Sequence, residues 1–160
     1  MPILVFQTAV AAPLSAVWAF HEDVLKALPA LSPPGADVSI ESADLPVHVG
    51  SKIVIVGRSP VGRLRWAARI VEHVPPHSLA FGEEARFVDE QESGPFARWR
   101  HSHEFERIDD QNTRLVDRVE YAVPWGPAGW VADWLFVRWQ IKSMFKHRHA
   151  MTKKLLETKG

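Results

Sequence analysis

The feature that most constrains this chain is a change of period. Between residues 38 and 123 its apolar side chains recur in short alternating runs separated by turn signals, whereas from Ala128 onward they recur every three or four residues. Alternation at two marks a half-buried strand, and steps of three or four mark a helix with one apolar stripe. In the second region the stripe runs through Trp130, Trp134, Val137, Ile141, Phe145 and then Met151 or Thr152, with Lys and Arg between them. The spacing predicts one amphipathic helix of about 28 residues, long for a globular domain. Its C-terminal half is rich in Lys, Arg and His, the favourable sign at that end of a helix dipole.

The alternating region divides into strands. Residues 3–9 form a first strand ahead of it. Pro13 suits the first position of a helix, and residues 13–20 and 22–29 read as two short helical pieces, the second ended by Pro29. LSPPGAD (31–37) is a loop by composition. Strands then follow over 38–44, 51–59, 63–74, 78–89, 96–108 and 113–123. SPVG (59–62) is a tight turn, Pro75 and Pro76 stop the strand before them, and PWGP (124–127) closes the strand region. Consecutive strands joined by short turns imply an antiparallel meander. Only the last helix is long enough to cover its face, and a curved sheet closed on a helix leaves a gap suited to a ligand. At 160 residues with no repeat or linker, one domain over 1–160 is expected.

Composition removes several functional classes. The formal net charge is zero, which removes the global electrostatic case for a nucleic-acid partner. With no cysteine there is no disulfide, no thiolate nucleophile and no Cys-ligated zinc. The first 20 residues lack the charged segment and unbroken apolar run of a secretory signal, and no stretch approaches the ~18 apolar residues of a membrane span, so a cytoplasmic protein is expected. Ser15, Ser78 and Ser102 lack a nucleophile context, and GRSPVG (57–62) is a hairpin turn rather than a nucleotide-binding loop.

GPFARWRHSHEFERI (94–108) is the stretch richest in chemistry. Strand alternation puts Trp99, His101, His103 and Phe105 on one face and Arg98, Arg100, Ser102, Glu104 and Glu106 on the other. The charged set faces water, so the histidines face inward. On the next strand Leu115, Asp117, Val119 and Tyr121 form the inner face. If Arg107 pairs with Thr113, His103 lies opposite Asp117 and Trp99 opposite Tyr121; a shift by two leaves His103 diagonal to Asp117. An inward aspartate left unpaired costs several kcal/mol, on the order set by charge burial, so His103 is its expected partner. Three roles stay open: a structural cluster, polar anchors that orient a ligand oxygen, or a proton-transferring set of His103, Asp117 and His101. Metal binding lacks a third ligand. Glu106 has the wrong parity, and His147 and His149 fall on roughly opposite helix faces, so no metal and no other cofactor is expected.

Trp66 shares a face with Leu64, Ala68 and Ile70. Together with Trp99, Phe105, Tyr121 and Trp134 it is a candidate to line an apolar cavity, with plain core packing as the alternative. Trp125, Trp130 and Trp139 cannot all face one core, and PWGPAGW reads as a lid, a subunit contact or a packed loop. Lys142, Lys146, Arg148, Lys153 and Lys154 read as a solvated face, with membrane contact as the minor alternative.

The order of elements is similar to the helix-grip fold of the START-like (SRPBCC) superfamily. AAPLSAVWAF resembles its opening of the first helix. GPFARWRHSHEF, TRLVDRVEYAVPWGP and the helix ending in MFKHRH resemble bacterial cyclase/dehydrase-like, ligand-binding members. The resemblance implies an α+β fold: a curved antiparallel sheet of about seven strands wrapped around a long C-terminal helix, with two short helices after the first strand. It implies a carrier or sensor of a small hydrophobic molecule or lipid, held by Trp66, Trp99, His101, His103, Phe105, Asp117, Tyr121 and Trp134. The alternative is a metal-independent polyketide cyclase/dehydratase- or isomerase-like enzyme using a His–Asp pair. A third class is an interaction module contacting its partner through the segment after Pro124. The superfamily hosts carriers, sensors and enzymes on one scaffold, so the resemblance carries fold further than activity.

Overall fold

A computed structural model describes residues 2–59, 62–77 and 84–157. The chain begins with β1 (Ile3–Val10), α1 (Leu14–Glu22) and α2 (Val24–Leu31). Six strands follow: β2 (Ser39–Ala43), β3 (Lys52–Ser59), β4 (Gly62–Val74), β5 (Glu84–Ser93), β6 (Arg98–Asp109) and β7 (Asn112–Ala122). The last segment is α3 (Gly126–Ala132), a π-helical turn (Asp133–Val137) and α4 (Arg138–Glu157). The centre of the 59–62 turn and the expected strand start at 78–83 lie outside the described residues.

All seven strands form one antiparallel sheet in the order β1-β7-β6-β5-β4-β3-β2. The chain crosses from β1 to the far edge through α1 and α2, then meanders back until β7 pairs with β1. Arg107 does pair with Thr113, so His103 lies opposite Asp117 and Trp99 opposite Tyr121. Bulges within β4–β5 and β2–β3 bend the sheet, as an extra residue on one strand must. Its concave face meets α4, where Phe6 stacks on Phe145 at 4.8 Å. At the other end, the Trp18 indole N–H donates to Glu22 at 2.8 Å while Glu22 pairs with His73 at 3.0 Å, docking α1 on β4. Among the described residues no helix is long and apolar enough to cross a membrane.

Two local expectations are corrected. Pro29 does not end α2, which runs on to Leu31. In the last turn a proline costs one helical hydrogen bond, and this is offset by the complete burial of Leu31 and by the Ser32 hydroxyl donating to the Leu28 carbonyl at 2.6 Å. The long helix is also not one uniform stripe. Its buried positions are Gly129, Asp133, Ile141, Phe145, His149 and Thr152, while Trp130 and Trp134 are 71% and 75% exposed. Steps of four overshoot a 3.6-residue period, and the π-turn absorbs an extra residue. The stripe therefore enters α4 through a glycine and an aspartate, one residue out of phase with the tryptophans. Gly129 is obligatory there, since a Cβ would sit 1.9 Å from the Pro124 carbonyl oxygen.

Candidate functional site

Between the sheet, α2 and α4 lies a cavity of about 320 Å³. Ile53, Ile55, Leu64, Trp66, Ala68 and Ile70 form its sheet wall, Val24, Ala27 and Leu28 its α2 wall, and Met144 and Phe145 its α4 wall. Pro33, Ala36 and Arg58 stand at one end, where the Arg58 amide donates to the Ala36 carbonyl at 2.7 Å. At the other end His21, Asp89, His101, His103 and Arg148 converge. A hollow on the outer sheet face is lined mainly by charges that are already paired, Glu72 with Arg86 and Arg100, and Glu104 with Arg118.

The polar end is a crossed pair of His–Asp contacts. Asp89 stands opposite His101 in the β5–β6 register, and Asp117 stands opposite His103 in the β6–β7 register. Yet each carboxylate bonds the diagonal histidine. His101 Nε2 meets Asp117 Oδ1 at 2.6 Å, and His103 Nε2 meets Asp89 Oδ2 at 2.9 Å. The directly opposite contacts are longer, 3.7 Å for His101–Asp89 and 3.5 Å for His103–Asp117. Diagonal neighbours lie within reach of side chains this long, so the expected His103–Asp117 bond is replaced by two crossed ones. The two imidazoles lie with centroids 3.7 Å apart and planes tilted by 34°, and Phe87 stacks on His103 at 4.0 Å. From α4, His149 Nε2 takes the second oxygen of Asp117 at 2.6 Å. His103 Nδ1 is buried with no hydrogen-bond partner.

Electrostatics follow from this burial. Burial alone would raise Asp117, but hydrogen bonds from His101 and His149 hold its carboxyl well below the usual range. Asp89 is likewise lowered: burial is the largest influence and opposes ionisation, but the His103 hydrogen bond together with the charges of His101, His103 and Arg148 outweighs it. Burial, aided by the neighbouring His101, pushes His103 down to about 4. Burial also lowers His21 to about 4, although its Nδ1–H donates to the Val17 carbonyl at 2.8 Å. Arg148, beside the cavity with its guanidinium 5.7 Å from the Phe145 centroid, is lowered by burial as well.

Of the eight expected ligand residues, Trp66, Trp99, His101 and His103 line the cavity. Asp117 lies behind the histidines, only 3% exposed. Phe105 is fully buried in the core against Trp18 and Phe87. Tyr121 is also fully buried, its hydroxyl donating to Asp133 at 2.6 Å, and burial together with that bond raises it to about 12. Trp134 points to solvent, displaced by the π-turn. Sequence reasoning missed Asp89, Arg148, His149 and His21. Asp89 carried a usable signal, since Ala85, Phe87 and Asp89 share the inner parity of β5. His149 carried another, four residues beyond Phe145.

A model of the polyketide cyclase / dehydrase and lipid transport family matches residues 10–150. No curated protein matches the chain by sequence. Among solved structures, a protein from Thermus thermophilus is 15% identical with a TM-score of 0.70, covering 98% of each chain. A START superfamily protein from Mycobacterium smegmatis is 12% identical with a TM-score of 0.68, covering 98% of this chain and 97% of its own. The Zhui aromatase/cyclase from Streptomyces sp. R1128 is 14% identical with a TM-score of 0.64, covering 99% and 98%. Likeness at these identities establishes the helix-grip fold.

Proposed function

The chain belongs to the polyketide cyclase / dehydrase and lipid transport family, and from that premise we propose that it binds a small, largely apolar molecule between the sheet and α4. The observation that carries this is the cavity of about 320 Å³ with aliphatic and aromatic walls and polar groups gathered at one end. Apolar walls supply affinity and a few fixed polar groups supply orientation. Arg148 and the His103–Asp89 pair suit a carbonyl, hydroxyl or carboxylate oxygen on an otherwise hydrophobic ligand. Asp117 acts from behind, holding His101 and α4 in place.

Proton transfer is the second reading. It is favoured by His103 standing at the cavity wall in hydrogen-bond contact with Asp89. The pair available to substrate is then Asp89–His103 rather than His103–Asp117. The aromatase/cyclase among the similar structures gives this reading a precedent on the same fold.

Native mass spectrometry of freshly purified protein, repeated under denaturing conditions, tests the binding reading. Extra organic mass that leaves on denaturation is expected. Ala68→Phe, which fills the cavity, should abolish it while preserving the far-UV circular dichroism spectrum. An unchanged retained mass in Ala68→Phe would place the ligand elsewhere and sink the proposal.

A further inference from the structure

We propose that Asp89, His101 and His103 form a site for one divalent first-row transition ion, open on its fourth side to the cavity. One donor atom from each of these residues lies within 4.8 Å of the others. Asp89 Oδ2 already stands 2.9 Å from His103 Nε2 and 3.7 Å from His101 Nδ1. Two imidazoles and one carboxylate with an open face suit Zn²⁺ or Fe²⁺. The third ligand that strand parity failed to supply comes from the neighbouring strand.

Two further observations point to an ion. First, the outer contacts are those of ligating histidines. His101 presents Nε2 to Asp117, which leaves Nδ1 toward Asp89, and a metal-bound imidazole characteristically hands its other N–H to a carboxylate. Second, His103 Nδ1 is buried without a partner when Nε2–H serves Asp89. An ion on Nε2 moves that proton to Nδ1, where Asp117 Oδ1 waits at 3.5 Å. A closing of that distance by a few tenths of an ångström then gives the buried atom a partner. Among the described residues, neither Asp89 nor Asp117 has an ion pair with Lys or Arg, and Arg148 acts on both only from a distance, so a dication also supplies charge to the buried Asp117 and the partly buried Asp89.

The site stands independently of the ligand reading, because Zn²⁺ is titrated into chelator-stripped full-length protein with no organic molecule added. Calorimetry should give one equivalent with micromolar or tighter affinity. Asp89→Asn and His101→Gln should each weaken it at least tenfold, while His147→Gln should leave it unchanged. Co²⁺ added to the unmutated protein gives a readout that no folding defect affects: a visible band of low-coordinate intensity is expected. Zn²⁺ binding that is absent, or equal in Asp89→Asn, or Co²⁺ showing only weak octahedral absorption, would each overturn the site.

A different surface carries a second inference. Trp125, Trp130, Val131, Trp134, Leu135, Phe136 and Trp139 are all at least half exposed on α3, the π-turn and the start of α4. From residue 124 to 152 the one acid is Asp133, buried and bonded to Tyr121 and Arg138, while Lys142 and Lys146 are exposed. We infer that this face docks on an anionic lipid surface. Tryptophans with flanking cations match the interface of such a bilayer. A two-fold contact with a second copy would set one cationic face against another. Co-sedimentation should show binding to phosphatidylglycerol vesicles, weak binding to phosphatidylcholine, and at least tenfold loss in Trp130→Ser/Trp134→Ser/Trp139→Ser. Equal binding to both vesicles, no binding to either, or a lipid-independent dimer abolished by the same triple substitution would refute it.

Discussion

Replacing Asp117 by Asn keeps the shape of the side chain and removes its charge. In the folded protein this carboxylate is 3% exposed and accepts from His101 and His149, both at 2.6 Å. Hydrogen bonds to a charged group contribute about 1.5–3 kcal/mol each. The amide retains one acceptor oxygen and turns an N–H₂ toward the other imidazole, so one bond is lost and the survivor is weakened. The expected loss is about 3 kcal/mol, at the lower end of the ~3–5 kcal/mol for breaking a buried ion pair. With a urea m-value of about 2 kcal/mol/M, the midpoint should fall by about 1.5 M at unchanged m. The measurement is made in chelator, so that metal does not contribute to stability. A cycle with His149→Leu should give a coupling of about 1–2 kcal/mol. A loss below about 1 kcal/mol, or additivity within ~0.5 kcal/mol, would refute the view that Asp117 clamps α4 to the sheet.

Acid should destabilise the protein in part through His21. Its folded value of about 4 lies below the ordinary 6.5, so its contribution is fully present above pH 6.5 and is lost as pH falls from there toward 4. Between pH 7 and 5 that amounts to about 2 kcal/mol, so His21→Leu should flatten the urea stability profile by this much, with the charged Asp117 and Arg148 and the titratable His103 as the neighbours left in place; an unchanged slope would contradict the assignment. Gly129→Ala drives a Cβ to 1.9 Å from the Pro124 oxygen and should lower the melting temperature by about 5–10 °C, whereas a shift under about 1 °C would mean that the 124–129 turn yields freely.

What the sequence revealed and what it hid follow the same physics. Strand parity is a hard constraint, because a one-residue slip inverts every side chain, so the inner face of β6 was legible from alternation alone, whereas a shift by two preserves parity and only the structure selects the Arg107–Thr113 register. Hydrogen-bond partners inside that face were not. Opposite and diagonal aspartates differ by less than the reach of an imidazole, and the choice is made by Asp89, an acid on the inner parity of β5. Trp134 failed for another reason. A π-turn leaves the composition of a stripe untouched and shifts its phase, and nothing in the apolar spacing announces one extra residue per turn. The signal was polar instead: Asp133, four residues beyond Gly129, aimed at Tyr121.

The crossed bonds also tie two jobs to one helix. Arg148 reaches the cavity and the next residue, His149, bonds Asp117 behind it. Because successive residues on a helix point about 100° apart, the His149 clamp fixes the rotation of α4 and thereby the place of the Arg148 guanidinium. The clamp is expensive to move, since shifting it leaves a buried carboxylate one donor short. A ligand that engages Arg148 therefore meets a cation held in position by a bond it does not touch. The same bond sets His101, through the other oxygen of Asp117. Substitutions at His149 should accordingly loosen ligand orientation and the His101 ring together, although His149 itself is absent from the cavity wall.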